Sequence, residues 1–220
     1  MRKVEADRQA MGLRERGKRD RLQRLHQAAA EVFRTRGYDA ATTRDIAQLA
    51  EVSVGTLFVY ARDKRDLLFL VINDDLDEVL ARALAAAARP GTPLDQLAEL
   101  LGPIYAYFAL EPELARPALR EVVHYDRPGD DGTGEQALRY MRRMEAWQDA
   151  IAAMLEEAVR AGQLRLDAPA ALLARVLFDI HLVEVRRWMN AGTPDPARGQ
   201  AVLRQMFAVV LEHRLVIQQR

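Results

Sequence analysis

Apolar positions along this chain recur with the period of a helix, and no stretch alternates as a strand would. Leu22, Leu25, Ala29, Val32 and Phe33 share one helical face, and Gly37 stops that run. Thr42-Thr-Arg-Asp45 has the form of a capping box and predicts a short second helix ending near Ala50. Ser53 is placed to cap a third, from Val54 to about Tyr60. Asp63-Lys-Arg-Asp66 opens a long fourth helix that reaches about Arg89, where Pro90-Gly91 ends it.

The remaining helices are announced equally locally. Thr92-Pro93 opens one, Pro112 another, and Asp126 to Gly134 reads as a loop. A long helix follows to Gly162. Asp167 is expected to cap a helix through about Met189, and Asp195-Pro196 to open the last. The fold class expected is all-α, with about nine helices: an N-terminal three-helix domain holding a helix-turn-helix, then a larger helical domain. The boundaries expected are 1–17 for a basic arm, 18–63 for the helix-turn-helix domain and 64–220 for the rest.

Charge and composition narrow the picture. The 220 residues carry 32 Lys+Arg and 32 Asp+Glu, yet residues 1–70 hold 15 basic against 10 acidic and the remainder 17 against 22. A basic front on a neutral chain suggests a local polyanion contact. The arm residues Arg2, Lys3, Arg8, Arg14, Arg16, Lys18 and Arg19 could enter a minor groove, or form only a disordered, solvated tail. With no run of about 18 apolar residues and no signal-like start, a cytoplasmic protein without a membrane partner is expected. The absence of cysteine excludes disulfides, thiolate metal sites and cysteine nucleophiles.

The second and third helices meet the packing demands of a helix-turn-helix. Ala47 supplies the small residue where they cross. Ile46, Ala50, Val52, Leu57 and Tyr60 fall toward the pair's own core, leaving Val54, Gly55, Thr56, Phe58 and Val59 outward with no acid among them. Such a surface suits close approach to DNA.

Three stretches carry a resemblance to the TetR family of bacterial regulators: Gly37-Tyr-Asp-Ala-Ala-Thr-Thr-Arg-Asp-Ile-Ala47, Val52-Ser-Val-Gly-Thr-Leu-Phe58 and Asp63-Lys-Arg-Asp-Leu67. Gly12-Leu-Arg-Glu-Arg16 is similar to that family's lead-in. The resemblance spans roughly Gly12 to Leu68. It implies DNA-binding positions at Thr42, Thr43, Arg44, Ser53, Val54, Gly55, Thr56, Phe58, Val59, Tyr60 and Lys64, with Thr42 and Lys64 meeting phosphates. Ser53 is the one serine of the chain and Lys64 one of three lysines. Glu51 stands where the family's turn usually has glycine, so its backbone should be left-handed at roughly 1 kcal/mol. Phe58 and Ala61 replace a usual tyrosine and a common phenylalanine.

The resemblance further implies double-stranded DNA with a palindromic operator, a second copy of the chain and an unidentified small-molecule effector as partners. Tyr105, Phe108, His124, Tyr140, Met144 and Trp147 are the aromatic or adaptable side chains expected to line an effector pocket. Wide apolar stripes on the last two helices suggest a homodimer interface formed by Leu173, Leu177, Ile180, Trp188, Leu203, Met206, Phe207 and Val210, on faces that also carry Leu172, Val176, Val183, Val202 and Val209. The alternative is that these are ordinary core helices of a monomer.

An enzyme would need a nucleophile–base pair, a metal cluster or a phosphate loop, and no such pattern is present. No cofactor and no metal are expected; His181-Leu-Val-Glu184 is the nearest thing to a ligand pair and reads as a surface hydrogen bond. The alternatives are a helical enzyme and a protein-interaction module that never touches DNA.

Overall fold

The computed structural model describes the backbone of residues 2–122 and 134–215, and side chains from residue 15 onward within that range. Among the described residues the chain forms nine helices: α1 Arg2–Arg36, α2 Thr43–Leu49, α3 Val54–Leu57, α4 Lys64–Ala87, α5 Pro93–Leu110, α6 Pro112–Glu121, α7 Glu135–Arg160, α8 Ala170–Asn190 and α9 Pro196–Leu211. The sole extended pairing among them is an isolated bridge between Leu164 and Leu215. No described helix is long and apolar enough to cross a membrane.

Most helix starts lie where a cap precedes them. The side chains of Thr42, Ser53, Thr92 and Asp195 each accept a backbone N–H from the first turn of the helix that follows, a contact that contributes about 1 kcal/mol. Gly37, at φ +76°, ends α1 by taking the left-handed conformation that side chains resist. Two expectations change. Residues 2–17 do not form a separate arm but belong to α1. Asp167 does not cap α8: Pro169 stands at that cap with no side-chain bond, and Asp167 is paired with Arg214 at 3.4 Å. Proline cannot donate a backbone N–H and favours the first turn, so the helix starts from it rather than from the aspartate.

The chain divides into two compact units. The first takes Met1–Ile72 together with Glu121–Leu138, so the division passes inside α4, between Ile72 and Asn73. Its core is Leu25, Ala29, Phe33, Ile46, Leu57, Leu67, Leu68 and Phe69, all fully or almost fully buried. His26 Nε2 lies 3.0 Å from the Val71 carbonyl and ties α1 to α4.

The buried Asp66 joins two helix starts in this unit. Its carboxylate accepts the Arg62 N–H at 3.0 Å, ahead of α4, and the Ala137 N–H at 2.9 Å, in the first turn of α7. Gly134 lies so close that a Cβ there would collide with the carboxylate.

The second unit comprises Asn73–Arg120 and Arg139–Arg220. Here α9 packs on α5 with Tyr105 against Gly199, and Gln200 donates to the Gly102 carbonyl at 3.0 Å. Arg204 pairs with Asp95 at 2.6 Å.

Candidate nucleic-acid interface and effector cavity

The helix-turn-helix is built on local hydrogen bonds. Thr42 Oγ1 receives the Asp45 N–H at 3.1 Å and donates its own proton to the Asp45 carboxylate at 2.6 Å. That hydroxyl, with Arg36 at 3.0 Å, holds the Asp45 carboxyl below its ordinary range despite the opposing effect of burial. Ser53 Oγ caps the Thr56 N–H at 3.0 Å and lies 2.8 Å from the Thr56 hydroxyl.

Between the two helices Glu51 has φ +54° and is the one non-glycine residue with positive φ among the described residues. The turn thus takes the left-handed geometry the family resemblance implied, with a carboxylate side chain at the position. Its ion pair with Arg24 is long, at 3.7 Å, and exposed, so it contributes little.

The residues expected to read DNA are exposed or half-buried. Phe58 is 48% and Val59 77% exposed, Ser53 and Gly55 are exposed, and Val54 and Thr56 are half-buried. Leu57, between them, is fully buried and anchors the segment from below. Thr42 and Arg44 are exposed and Thr43 half-buried.

Two of the expected residues are less free than their register suggested. The Tyr60 hydroxyl accepts from Arg21 Nε at 3.2 Å, so Tyr60 also braces α1. The Lys64 ammonium donates to the Tyr38 and Asp39 carbonyls at 2.9 and 3.2 Å and sits 4.7 Å from the centre of the Tyr38 ring. An ammonium has three N–H donors, so one is left for a phosphate. Arg21 was missed from sequence, for it acts on a residue 39 positions away with no local signature.

In the second unit a cavity of about 20 Å³ is lined by Leu76, Ile104, Phe108, Leu119, Tyr140, Arg143, Met144, Trp147, Phe178, His181, Leu182 and Val185. Phe108, Tyr140, Met144 and Trp147 are thus brought together at one cavity. Tyr105 is not among the lining residues; it is fully buried, 4.8 Å ring to ring from Trp188. His124 lies outside the described residues.

Arg143 and His181 had not been singled out for this cavity. Their signal was available only as a charged residue and a histidine on otherwise apolar faces. Arg143 donates through Nε to Asp77 at 2.6 Å and through Nη2 to the Asn73 carbonyl and side-chain oxygen at 2.9 and 3.0 Å. Burial raises the Asp77 carboxyl, but hydrogen bonds from Arg143 and Arg139 outweigh it and hold that carboxyl below its ordinary range. Burial pushes the His181 imidazole down to about 3, so it is neutral, and pushes the Tyr140 hydroxyl up to about 12.

Three buried side-chain atoms among the described residues have no partner: Tyr105 Oη, Arg143 Nη1 and His181 Nδ1. Each such group costs roughly 1–3 kcal/mol. No group of three or more His, Asp or Glu able to hold a metal occurs among the described residues. Glu184 pairs with Arg187 at 2.6 Å.

On α8 and α9 the expected interface needs correction. Leu173, Leu177, Leu203 and Phe207 are buried in their own unit. Trp188 is half-buried and donates its Nε1–H to the Asp195 carbonyl at 2.8 Å. The apolar residues left outward are Leu172, Val176 and Val183 on α8 and Val202 and Val209 on α9, with Ile180, Met206 and Val210 half-buried beside them. A stripe wide enough for two surfaces spends one of them on the core.

Comparison with known proteins gives concordant likenesses. The sequence profile of bacterial regulatory proteins of the tetR family matches residues 25–71. The chain is 31% identical over 199 residues to the HTH-type transcriptional repressor KstR2 of Mycolicibacterium smegmatis, covering 87% of this chain and 89% of that protein. Among solved structures, FadR of Thermus thermophilus in complex with lauroyl-CoA is 27% identical with a TM-score of 0.67, covering 90% of this chain and 97% of that one. FadR of Bacillus subtilis in complex with stearoyl-CoA superposes with a TM-score of 0.64 at 19% identity, over 84% and 96%. At that identity the likeness speaks to the fold.

Proposed function

The chain belongs to the TetR family of bacterial regulatory proteins, and from that premise we propose that two copies together seat on a pseudo-palindromic operator and repress transcription until a small acyl-type effector enters each second unit. The observation that carries the DNA-binding reading is the outward, acid-free surface of Val54, Gly55, Thr56, Phe58 and Val59, capped by Ser53 and anchored by buried Leu57.

Small and apolar side chains let α3 approach base edges closely, so thymine methyls are read as much as hydrogen-bonding edges. Phosphate contacts from Thr42, Arg44 and the remaining Lys64 N–H supply affinity without sequence preference. The outward stripes of α8 and α9 supply the contact between copies, and two-fold protein symmetry then demands two-fold operator symmetry.

The effector reading rests on the apolar cavity in the second unit and on the relatives. FadR of T. thermophilus was solved with lauroyl-CoA, and an acyl chain matches a lining of Phe, Trp, Met, Leu, Ile and Val side chains. At about 20 Å³ the cavity has room for one water, so an effector enters by parting its walls. That strain is what couples occupancy to operator affinity, and the coupling is reciprocal.

Footprinting on the DNA upstream of the protein's own coding sequence tests the reading. Two protected half-sites about 34–36 Å apart are expected, lost on adding lauroyl-CoA. Protection of no sequence over competitor DNA would refute it.

A further inference from the structure

We propose that Arg143 and His181 together receive a neutral carbonyl oxygen of the effector, a thioester, ester or ketone set in an apolar body, and that Arg143 passes its arrival to α4. This rests on the effector reading above and names the chemistry of that same site.

The two residues line one cavity, and each leaves a buried nitrogen without a partner, Arg143 Nη1 and His181 Nδ1. Arg143 is 3% and His181 4% exposed, so neither nitrogen is served by bulk solvent. Orphaned buried polar atoms are disfavoured in a folded chain; two of them at one otherwise apolar cavity mark a place where an oxygen belongs. An arginine only donates, so the incoming group must accept.

Charge decides which acceptor. Arg143 is already met by Asp77 at 2.6 Å, and Arg139 by Asp74 at 2.7 Å and by Asp77. This cluster holds two cations and two anions, and the buried imidazole is neutral. Arg186 is a further cation near Tyr140, but it does not line the cavity and its Nε is held by the Leu119 carbonyl at 3.0 Å. Within the lining a carboxylate would therefore meet no unpaired cation among Phe108, Met144, Trp147 and Phe178, where burying it is costly. A carbonyl oxygen brings no charge.

The same guanidinium is the link to α4. Its Nε and Nη2 hold Asp77 and Asn73, on successive turns of that helix, while Nη1 is the edge left over. Drawing Nη1 toward a ligand oxygen moves the two bonds on its other edge. Removing Arg143 should thus weaken both recognition and response, whereas removing His181 weakens recognition alone.

Calorimetric titration of the full-length protein with dodecanoyl-CoA and with S-dodecyl-CoA, a thioether lacking only the carbonyl oxygen, tests the assignment. The wild type is expected to prefer the thioester by about tenfold, the worth of one good hydrogen bond. His181→Phe and Arg143→Met each bring the ratio toward one. His181→Phe also raises the melting temperature of the ligand-free protein, because it removes an unsatisfied group; it keeps the test valid should Arg143→Met fail to fold. Equal binding of the two probes by the wild type, or an undiminished preference in His181→Phe, overturns the carbonyl assignment, the partnerless nitrogens then serving a resident water only, and leaves the acyl-effector reading standing. Binding of neither probe overturns both.

Discussion

Lys64 carries two jobs on one ammonium. Two of its N–H groups close the α1–α2 turn through the Tyr38 and Asp39 carbonyls, and the third is the one proposed to meet a phosphate. Lys64→Ala is therefore expected to lower affinity for every operator variant alike and to flatten the slope of log K against log salt by about one. Stability should drop by about 1 kcal/mol with the lost turn contacts. Fluorescence anisotropy over a salt series on two operator sequences checks this; a change in which sequence is preferred would contradict a phosphate role. The two jobs differ in legibility. The proposed phosphate role came from the family resemblance at Asp63-Lys-Arg-Asp-Leu67, whereas the turn contacts join residues 25 and 26 positions apart.

At the scale of elements, the decisive piece is the carboxylate of Asp66. Sequence placed it in the first turn of α4, where an acid suits the helix dipole, and nothing nearby announced that α7 would start on the same group. Asp66→Ala leaves the buried Ala137 amide and the part-buried Arg62 amide without their acceptor. A loss of roughly 2–4 kcal/mol is expected, read as a lower midpoint in urea at unchanged slope. A loss under about 0.5 kcal/mol, the lower edge of one net hydrogen bond, would mean both amides find water instead. The helix starts at Thr42, Ser53, Thr92 and Asp195 were legible because cap and capped amide lie within three residues. The start of α8 was not, since the expected cap Asp167 is drawn to Arg214, 47 residues away.

For the whole molecule, the proposed assembly of two copies rests on which apolar residues the core leaves over. Val176 is 42% and Val209 71% exposed within the single chain, so replacing both by glutamate does not disturb the core. Val176→Glu with Val209→Glu is expected to give a folded monomer by sedimentation, with helical content unchanged. Its operator affinity should fall at least 10²-fold, because one reading head alone forgoes the effective concentration supplied by its twin. A double variant that still sediments as a dimer would place the interface elsewhere.

Residue order alone was enough for the all-α class and the helix-turn-helix register, and the family resemblance added the left-handed turn at Glu51. Each depends on caps, periodicity or backbone preference acting over a few neighbours. Which side of α8 and α9 turns inward, which carboxylate serves α7, and which nitrogens stay unpaired in the cavity were decided by folding. Those outcomes depend on residues some 70 positions apart meeting, as Asp66 meets Ala137 and Arg143 meets Asn73. A helical stripe says how much apolar surface must be hidden; only the packed chain says which part it hides itself.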